Sequence, residues 1–552
     1  MRVTLETGMS SLLFKEREGI TLEEFAEEHA LEIPVQPIAA RVNNQYQDLL
    51  QKIPDNASVR LYGLEYRPAI RVYEDSLSML FVTALRNVFG AKSVEIQNSL
   101  NQGFYAEIPS MIPVPDAALE EIQIEMRTMA EEQVPFERVE VPKAQALKIF
   151  EEQGDSAHLI ELLQGKEKEK FSLIRIDGQY HFPFGLVVPS AGYLKVFELS
   201  PYHKGLLIRY PNCKEPEELP PYHDQPNLYI AFAEQEKWES ITGVNFVNEL
   251  NRKIDSGDAR ELVLLSEALH EKRLVEISDE IRDSRKRMIL VAGPSSSGKT
   301  TFARRLAVQL QVNGLHPTYF STDDYFVNRD EMVPDKNGEL NYENLDAVDL
   351  DLFKRNMNQL LAGEKTDLPV FNFMTGKKEF GKRIVQTKDD DPIVIEGIHA
   401  LNRKLSEGIP EDEIFRIYIS PLTQINLDEH NRVPTTDERM LRRLVRDYRF
   451  RGHSASMTLD LWPNVRNGED TNIFPYSGEA DATYNSYHIY EIALLKKYAE
   501  PILRQVRKDD PNYPEAERIL RLLRWFRTID DDSIVPNNSI IREFIGGSIF
   551  VE

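Results

Sequence analysis

The chain has 552 residues, 41% of them hydrophobic, which is enough for several cores and too apolar for a disordered chain. Its formal net charge of -24 argues against a broad non-specific nucleic-acid surface, since binding to duplexes depends on Lys and Arg. The single cysteine, Cys213, excludes an internal disulfide and a zinc site built from cysteines, and it fits a reducing compartment.

The sequence contains no long apolar run behind a basic segment at its start, and no stretch of about 18 apolar residues. We therefore expect neither a signal peptide nor a membrane span. A cytoplasmic protein of several domains is the expectation at this point.

Residues 1–65 are predicted to form a small β-rich unit. "MRVTLE" alternates like a strand, and "GITLEEFAEEHAL" is typical of a helix, with Thr21 and Glu24 in the spacing of a capping box. "PIAARVNNQYQDL" predicts two short strands around the turn pair Asn43-Asn44.

Residues 66–245 mix helix and strand patterns, which predicts an α+β domain. "SLSMLFVTALRNVF" is the clearest helix, and "YLKVFEL" and "LLIRYP" are predicted strands. The proline-rich segments 109–115 and 216–226 are predicted loops. Residues 246–285 are charged and helical and are predicted to connect this domain to the next.

From Met288 onward short apolar strands alternate with helices, which predicts an α/β domain with a parallel sheet over 286–552, ending in helices within 487–527. The segment "GPSSSGKT" matches G-x-x-x-x-G-K-[ST] between a predicted strand and a predicted helix. Such a loop binds phosphates with backbone amides at a helix N-terminus. The residues predicted to contact the nucleotide are Gly293, Ser295, Ser296, Ser297, Gly298, Lys299, Thr300 and Thr301, with the Thr300 hydroxyl also a ligand for Mg²⁺.

Two later strands end in acids. "HPTYFSTDDYF" carries Asp323 and Asp324, and "PIVIEG" carries Glu396. The carboxyl ends of parallel strands border the ligand crevice, so these side chains are candidates for proton acceptance or for holding Mg²⁺ through water. No N-K-x-D segment for guanine occurs, and D-x-x-G at 335–338 is interpreted as a turn.

The segment "RMLRRLVRDYRFRG" places arginines at helical spacing, and Gly452 follows as a stop signal. Phosphoryl transfer needs cations over the migrating group, so we interpret this helix as a lid that closes on the nucleotide. Arg442 and Arg443 are predicted to contact the nucleotide. Arg446 and Lys299 are predicted catalytic residues.

These motifs together resemble the uridine kinase and phosphoribulokinase family over roughly residues 286–486. The matching segments are Ser321-Thr322-Asp323, Tyr342 to Asp349, Pro369 to Gly376, Ile395 to Ile398, Arg442 to Asp447 and Ala480-Asp481. The resemblance implies ATP and Mg²⁺ as cofactors, Asp323 as the base on the acceptor hydroxyl, and a water-mediated Mg²⁺ contact at Glu396. It also implies an acceptor site at Tyr325, Tyr342, Glu343, Phe371 and Phe373.

The sequence departs from the family pattern in the acceptor segment. The Tyr and His that contact the pyrimidine in the family are Phe371 and Gly376 here, and the sugar-binding aspartate is Glu343. Loss of polar partners for a base should relax or redirect specificity.

The N-terminal half resembles threonyl-tRNA synthetase. Residues 1–65 are similar to its TGS domain, which implies a β-grasp-like fold, and residues 66–245 are similar to the editing-type domain that follows, through "NQGFY" and "VPSAG". The metal-binding pair of that domain falls on Glu74 and Ser78 and its cysteine near Pro183, so we expect no metal site there.

The sequence therefore predicts an ATP-dependent kinase that phosphorylates a hydroxyl of a small molecule, a nucleoside first among the candidates. The alternatives are a nucleotide-switched RNA- or tRNA-binding regulator and a scaffold with a vestigial phosphate loop. The resemblances leave nucleic-acid binding and homo-oligomerisation open.

Overall fold

The structure is a computed structural model, and it describes residues 1–7, 10–33, 35–90, 93–332, 342 and 344–551. Within these residues no helix is both long and apolar enough to span a bilayer. Glu343 and the D-x-x-G segment at 335–338 lie outside the described residues.

The N-terminal unit is a mixed five-stranded sheet in the order β2-β1-β5-β3-β4, with one helix packed on it. The capping box predicted at Thr21 is present, and Asn43 and Asn44 take φ of 46° and 61° in the turn between two strands. Its elements are β1 (Arg2–Thr7), β2 (Ser10–Lys15), α1 (Leu22–Glu28), β3 (Ala39–Val42), β4 (Gln45–Gln47) and β5 (Ala57–Tyr62).

The middle unit has two antiparallel sheets, ordered β11-β12-β7-β6 and β10-β9-β8, around a long buried helix. Its elements are α2 (Arg67–Phe89), β6 (Glu95–Leu100), β7 (Gly103–Glu107), α3 (Asp116–Glu131), β8 (Glu137–Pro142), α4 (Lys143–Gln153), α5 (Ala157–Gln164), β9 (Lys170–Ile176), β10 (Gln179–His181), β11 (Glu198–Tyr202), β12 (Gly205–Arg209) and α6 (Pro226–Thr242).

The strand predicted at "YLKVFEL" is wrong over residues 193–197. The backbone of Val196 is satisfied by a side chain instead of a neighbouring strand, because its N–H donates to the Tyr73 hydroxyl (3.0 Å) and its carbonyl accepts from it (2.8 Å). The strand starts later, at Glu198.

The predicted connector is two helices, α7 (Val247–Asp255) and α8 (Ala259–Ser284). They are not an isolated linker. Leu274, Ile277 and Ile281 of α8 share a core with the phosphate-loop strand and the helix after it, and Val247 and Leu250 pack into the C-terminal helices.

The C-terminal unit is an all-parallel five-stranded sheet in the order β14-β17-β13-β18-β19, with a separate hairpin β15-β16 beside it. Its elements are β13 (Met288–Ala292), α9 (Lys299–Val312), β14 (Thr318–Ser321), α10 (Leu350–Leu361), β15 (Thr366–Asn372), β16 (Lys377–Val385), β17 (Ile393–Glu396), α11 (Arg403–Ser406), β18 (Ile414–Ser420), α12 (Thr435–Phe450), α13 (Ala455–Asn472), β19 (Ala482–Asn485), α14 (Glu491–Leu503), α15 (Tyr513–Leu523) and α16 (Arg542–Ile545).

This arrangement positions the site. The three neighbouring strands β14, β17 and β13 run in the same direction, so the loops that follow them open at one edge of the sheet.

Candidate active site

The loop 293–298 links β13 to α9. A Cβ on Gly293 would lie 1.9 Å from the carbonyl oxygen of Ile419, so only glycine lets the loop pass this close to β18. Ser296 and Gly298 take left-handed φ of 62° and 85°, which turn the backbone sharply before the helix begins at Lys299. The amides of the first helical turn have no partners within the helix and carry its partial positive charge.

Lys299 and Thr300 open the helix beside the end of β17. The Lys299 ammonium donates to the carbonyls of Gly293 (2.9 Å) and Pro294 (3.2 Å). The Thr300 hydroxyl donates to Glu396 Oε1 (3.2 Å), and burial raises the pKa of the Glu396 carboxyl while nearby Lys299 opposes that rise. A hydroxyl and a carboxylate in contact form an oxygen-rich pair that suits Mg²⁺, directly or through water.

Two carboxylates remote in sequence bind donors of the loop and of the first turn of α9. Glu543 Oε2, on α16, accepts from the Thr301 hydroxyl (2.7 Å) and the Thr301 amide (3.3 Å). Glu469 Oε1, on α13, accepts from the Ser295 amide (3.2 Å). All three donors belong to residues predicted to contact the nucleotide, so these groups already bind carboxylate oxygens and would suit the oxygens of a polyphosphate. Sequence analysis missed both glutamates, because no local pattern links them to a loop more than 170 residues away.

The arginine helix α12 packs against the outside of the loop. Arg442 is fully buried, with ion pairs to Glu438 (2.5 Å) and Glu491 (2.7 Å), and it donates to the Ser296 carbonyl (3.3 Å). Arg443 donates to the Ser295 hydroxyl (2.8 Å). The helix is therefore not an exposed lid in this structure. The buried Arg442 side chain instead supports the loop through its hydrogen bond to Ser296.

The predicted catalytic Arg446 is mostly buried and bonds to Asp447 at 2.9 Å. Exposed arginines at the end of the helix are Arg449 and Arg451. The spacing of the arginines did not show which face of α12 would be buried, because that depends also on carboxylates of other helices, such as Glu491.

Asp323 follows β14 in a short 3₁₀ turn, Thr322–Tyr325. Ser321 lies opposite Glu396 in the strand register, so Asp323 comes two residues beyond the level of Glu396 on the neighbouring strand. Asp324 points to the hairpin, where Arg383 donates to its Oδ2 (2.6 Å). The two adjacent acids thus differ in role: Asp324 anchors β16, and Asp323 remains the candidate base.

An aromatic cluster borders this turn. The ring centroid of Phe326 lies 5.2 Å from that of Tyr342 and 5.7 Å from that of Phe371, and Phe371 lies 5.2 Å from Phe373. Phe371 is buried and Phe373 is exposed. Tyr325, predicted to contact the acceptor, is fully buried instead, and its hydroxyl bonds to Asn356 (3.2 Å), so it belongs to the core.

Arg329 lies across this cluster and was missed by sequence analysis. Its guanidinium donates to the Phe373 carbonyl (2.8 Å) and the Tyr342 hydroxyl (3.4 Å). A Cβ on Gly376 would lie 2.7 Å from the Arg329 Cβ, so the glycine makes room for the arginine. The Arg329 side chain therefore lies against Gly376, the position at which the resembled family has a histidine.

Comparison with known proteins assigns two regions of the chain. Residues 288–493 match the Phosphoribulokinase / Uridine kinase family. The uridine kinase of Lactobacillus johnsonii is 27% identical over 175 residues, which cover 32% of this chain and 74% of that protein. A solved structure, a possible uridine kinase from Bacillus stearothermophilus, covers 36% of this chain and 88% of its own at 22% identity, with a TM-score of 0.24.

A threonine–tRNA ligase of Carboxydothermus hydrogenoformans is 30% identical over 183 residues, which cover 33% of this chain. The chain spans only 29% of the length of that ligase. Residues 288–493 are thus similar to the Phosphoribulokinase / Uridine kinase family, and the chain also contains a region similar to threonine–tRNA ligases.

Proposed function

We propose that the protein is an ATP-dependent phosphotransferase that phosphorylates a hydroxyl group of a small molecule, with a nucleoside as the preferred acceptor. The observation that carries this proposal is the meeting of the phosphate loop, the Thr300–Glu396 pair and Asp323 after three neighbouring parallel strands. A phosphate cradle, a candidate Mg²⁺ site and a candidate base at one sheet edge are the parts that phosphoryl transfer needs.

Bound ATP with Mg²⁺ would supply the phosphoryl group and charge neutralisation. Lys299 would move from the Gly293 and Pro294 carbonyls to bind phosphate oxygens, and Thr300 with Glu396 would hold the metal. Asp323 would accept the proton of the acceptor hydroxyl. The acceptor oxygen would then bond to the terminal phosphorus of ATP as the bond from that phosphorus to the departing ADP oxygen breaks. Arg443, at the loop, would offset charge developing on the transferred group.

The aromatic cluster supports an acceptor with a planar ring. Tyr342 is partly exposed and Phe373 is exposed, with the buried Phe326 ring packed behind them, and exposed aromatic rings stack on bases. Arg329 offers guanidinium N–H donors there, and donors suit the carbonyl oxygens of a pyrimidine or a phosphate already on the acceptor. The similarity to curated uridine kinases points the same way, and a sugar phosphate is the second acceptor class to test.

The test is ATP turnover by the full chain with a panel of nucleosides and sugar phosphates, with products identified by mass spectrometry. We expect one acceptor class to stimulate ADP formation, and Asp323→Asn to lower kcat by about 10²- to 10⁴-fold. Asp389→Asn, an exposed acid on the loop before β17, is the matched control and should retain full turnover. Full turnover by Asp323→Asn would exclude Asp323 as the base, and acceptor-independent ADP formation would exclude the transfer reaction.

A second candidate function is RNA binding controlled by the nucleotide, favoured by the similarity to threonine–tRNA ligases. It predicts tRNA binding that depends on ATP and weakens steeply with salt. Filter binding to tRNA at 50 and 200 mM salt, with and without ATP, would distinguish the two functions. Absence of binding at the lower salt concentration would remove this candidate and leave the kinase proposal intact.

A further inference from the structure

A cleft separate from the phosphate loop lies where the N-terminal unit, the middle unit and the C-terminal helices meet. It is lined by Tyr46 and Tyr62 of the N-terminal sheet, Asp75 of α2, Phe184, and Trp525 after α15. Its volume is about 170 Å³. That is room for on the order of ten water molecules, and so for a small organic ligand. No residue of the loop 293–298 lines it.

Asp75 is the distinctive group of this cleft. Within the part of the chain that the structure describes, its carboxylate has neither a hydrogen-bond donor nor an ion-pair partner. Gly185 faces it so closely that a Cβ there would lie 2.3 Å from Asp75 Oδ2. Burial raises the pKa of Asp75 to about 7 and the neighbouring Glu74 adds to that rise, while Arg432, Arg71 and Arg518 oppose it. Asp75 thus interacts with these arginines only at longer range, and it lacks the direct hydrogen bonds and ion pairs that buried carboxylates normally have.

The other charges that line the cleft are already balanced. Arg432 pairs with Glu74, and Arg71 and Arg518 both pair with Asp437 and Glu515. Arg521 lies 3.7 Å from Glu517. Each lining guanidinium therefore has a direct carboxylate partner, whereas the Asp75 carboxyl has no direct cationic partner among the described residues. A phosphate or carboxylate ligand would have to compete with these carboxylates for the arginines. A cationic ligand would instead meet a carboxyl without a direct partner and would favour its ionised form.

The walls of the cleft suit the body of such a ligand. Tyr62 and Tyr66 stack with ring centroids 4.2 Å apart, and Phe184 packs edge-on against Trp525 at 4.9 Å. Aromatic faces attract ammonium and guanidinium groups and also bury apolar carbon. A carboxylate among aromatic rings is a recognition surface for organic cations.

We propose that this cleft binds a small organic cation, a protonated amine carried on an aromatic or aliphatic body, with Asp75 as its counter-ion. The site is independent of the proposed phosphotransferase reaction. It lies between units that come from all parts of the chain, so an occupant would also hold these units together.

Calorimetric titration of the full chain tests this, with tyramine as an aromatic amine, agmatine as an aliphatic cation, and 4-ethylphenol as the neutral counterpart of tyramine. We expect at least one of the two cations to bind, 4-ethylphenol to bind at least tenfold more weakly than tyramine if tyramine is the binder, and Asp75→Asn to weaken binding at least tenfold. The exposed Asp116→Asn is the control and should bind as the natural chain does.

Gly185→Ala provides a second variant that keeps the charge. Its methyl group must displace the Asp75 carboxylate, so we expect weaker cation binding with Asp75 still present. Circular dichroism and thermal unfolding report whether each variant is folded. The proposal is overturned if neither cation binds the natural chain. It is also overturned if folded Asp75→Asn binds the cation that the natural chain binds with unchanged affinity.

Discussion

At the scale of single residues, the site depends on close approaches that only particular side chains permit. Gly397 follows Glu396, and a Cβ there would lie 1.8 Å from the Thr322 hydroxyl, which is itself buried between β14 and β17. The absence of a side chain at Gly397 thus keeps the turn with Asp323 packed against the strand that ends in Glu396.

Gly397→Ala should therefore lower the free energy of unfolding by about 1–3 kcal/mol, the usual cost of forcing a methyl group into packed space. Urea unfolding followed by tryptophan fluorescence measures it. Gly165→Ala is the control, since its nearest atoms lie 3.6 Å from the added Cβ, and it should change stability little. Equal stability of the two variants would show that the turn can move away at no cost.

At the scale of elements, α16 meets the N-terminus of α9. Ile540, just before α16, contacts Gly298, whose Cβ would lie 2.4 Å from an Ile540 methyl group. The Glu543 carboxylate accepts hydrogen bonds from the Thr301 amide and hydroxyl. An anion at a helix N-terminus is stabilised by the helix dipole, so this carboxylate is placed to compete with a nucleotide phosphate for the same donors.

Glu543→Gln should consequently tighten ATP binding, by about 1 kcal/mol or roughly fivefold, because it removes the negative charge from the phosphate cradle. Calorimetric titration with ATP and Mg²⁺ measures the change. Glu218→Gln, an exposed glutamate in the proline-rich loop, is the control. Weaker binding by Glu543→Gln would instead make the carboxylate part of the nucleotide site.

At the scale of the whole molecule, buried histidines join α8 to the end of the parallel sheet. His270 and His488 lie with ring centroids 3.9 Å apart, and both are fully buried. Burial lowers the pKa of both rings well below its usual value, and the cationic neighbour Arg442 adds to the effect at His488. His399, also buried, has its pKa lowered to about 4 by burial.

A histidine with a depressed pKa in the folded state stabilises the fold above the unfolded value of about 6.5 and withdraws that contribution as the pH falls toward the folded value. For His399 the interval from 6.5 down to about 4 corresponds to about 3 kcal/mol. His488 contributes in the same way, and glutamine cannot take up a proton on unfolding. His488→Gln should therefore lose less stability than the natural chain when the pH falls from 7 to 4.5. Urea unfolding at both pH values measures this, with exposed His316→Gln as the control. Parallel losses in both variants would contradict it.

Local signals identified much of the fold. The capping box at Thr21, the Asn43-Asn44 turn, the phosphate loop and the alternating strands and helices after Met288 follow from backbone conformation and hydrophobic period, which act over a few residues. The misplaced strand at 193–197 and the buried Tyr325 escaped local reasoning, because Tyr73 and Asn356, which satisfy their polar groups, are remote in sequence.

By itself the sequence determined the type of loop, the acids that follow β14 and end β17, and the family resemblance of the C-terminal unit. Only the tertiary structure decided that α12 is largely buried, that Glu469 and Glu543 bind Ser295 and Thr301 of the predicted nucleotide site, and that Asp75 faces a cleft shared by three units. The physical reason is the distance along the sequence over which each interaction acts. Conformational preference and amide geometry are set by neighbours in sequence, whereas charge partners and burial are set by whichever surfaces the folded chain brings together.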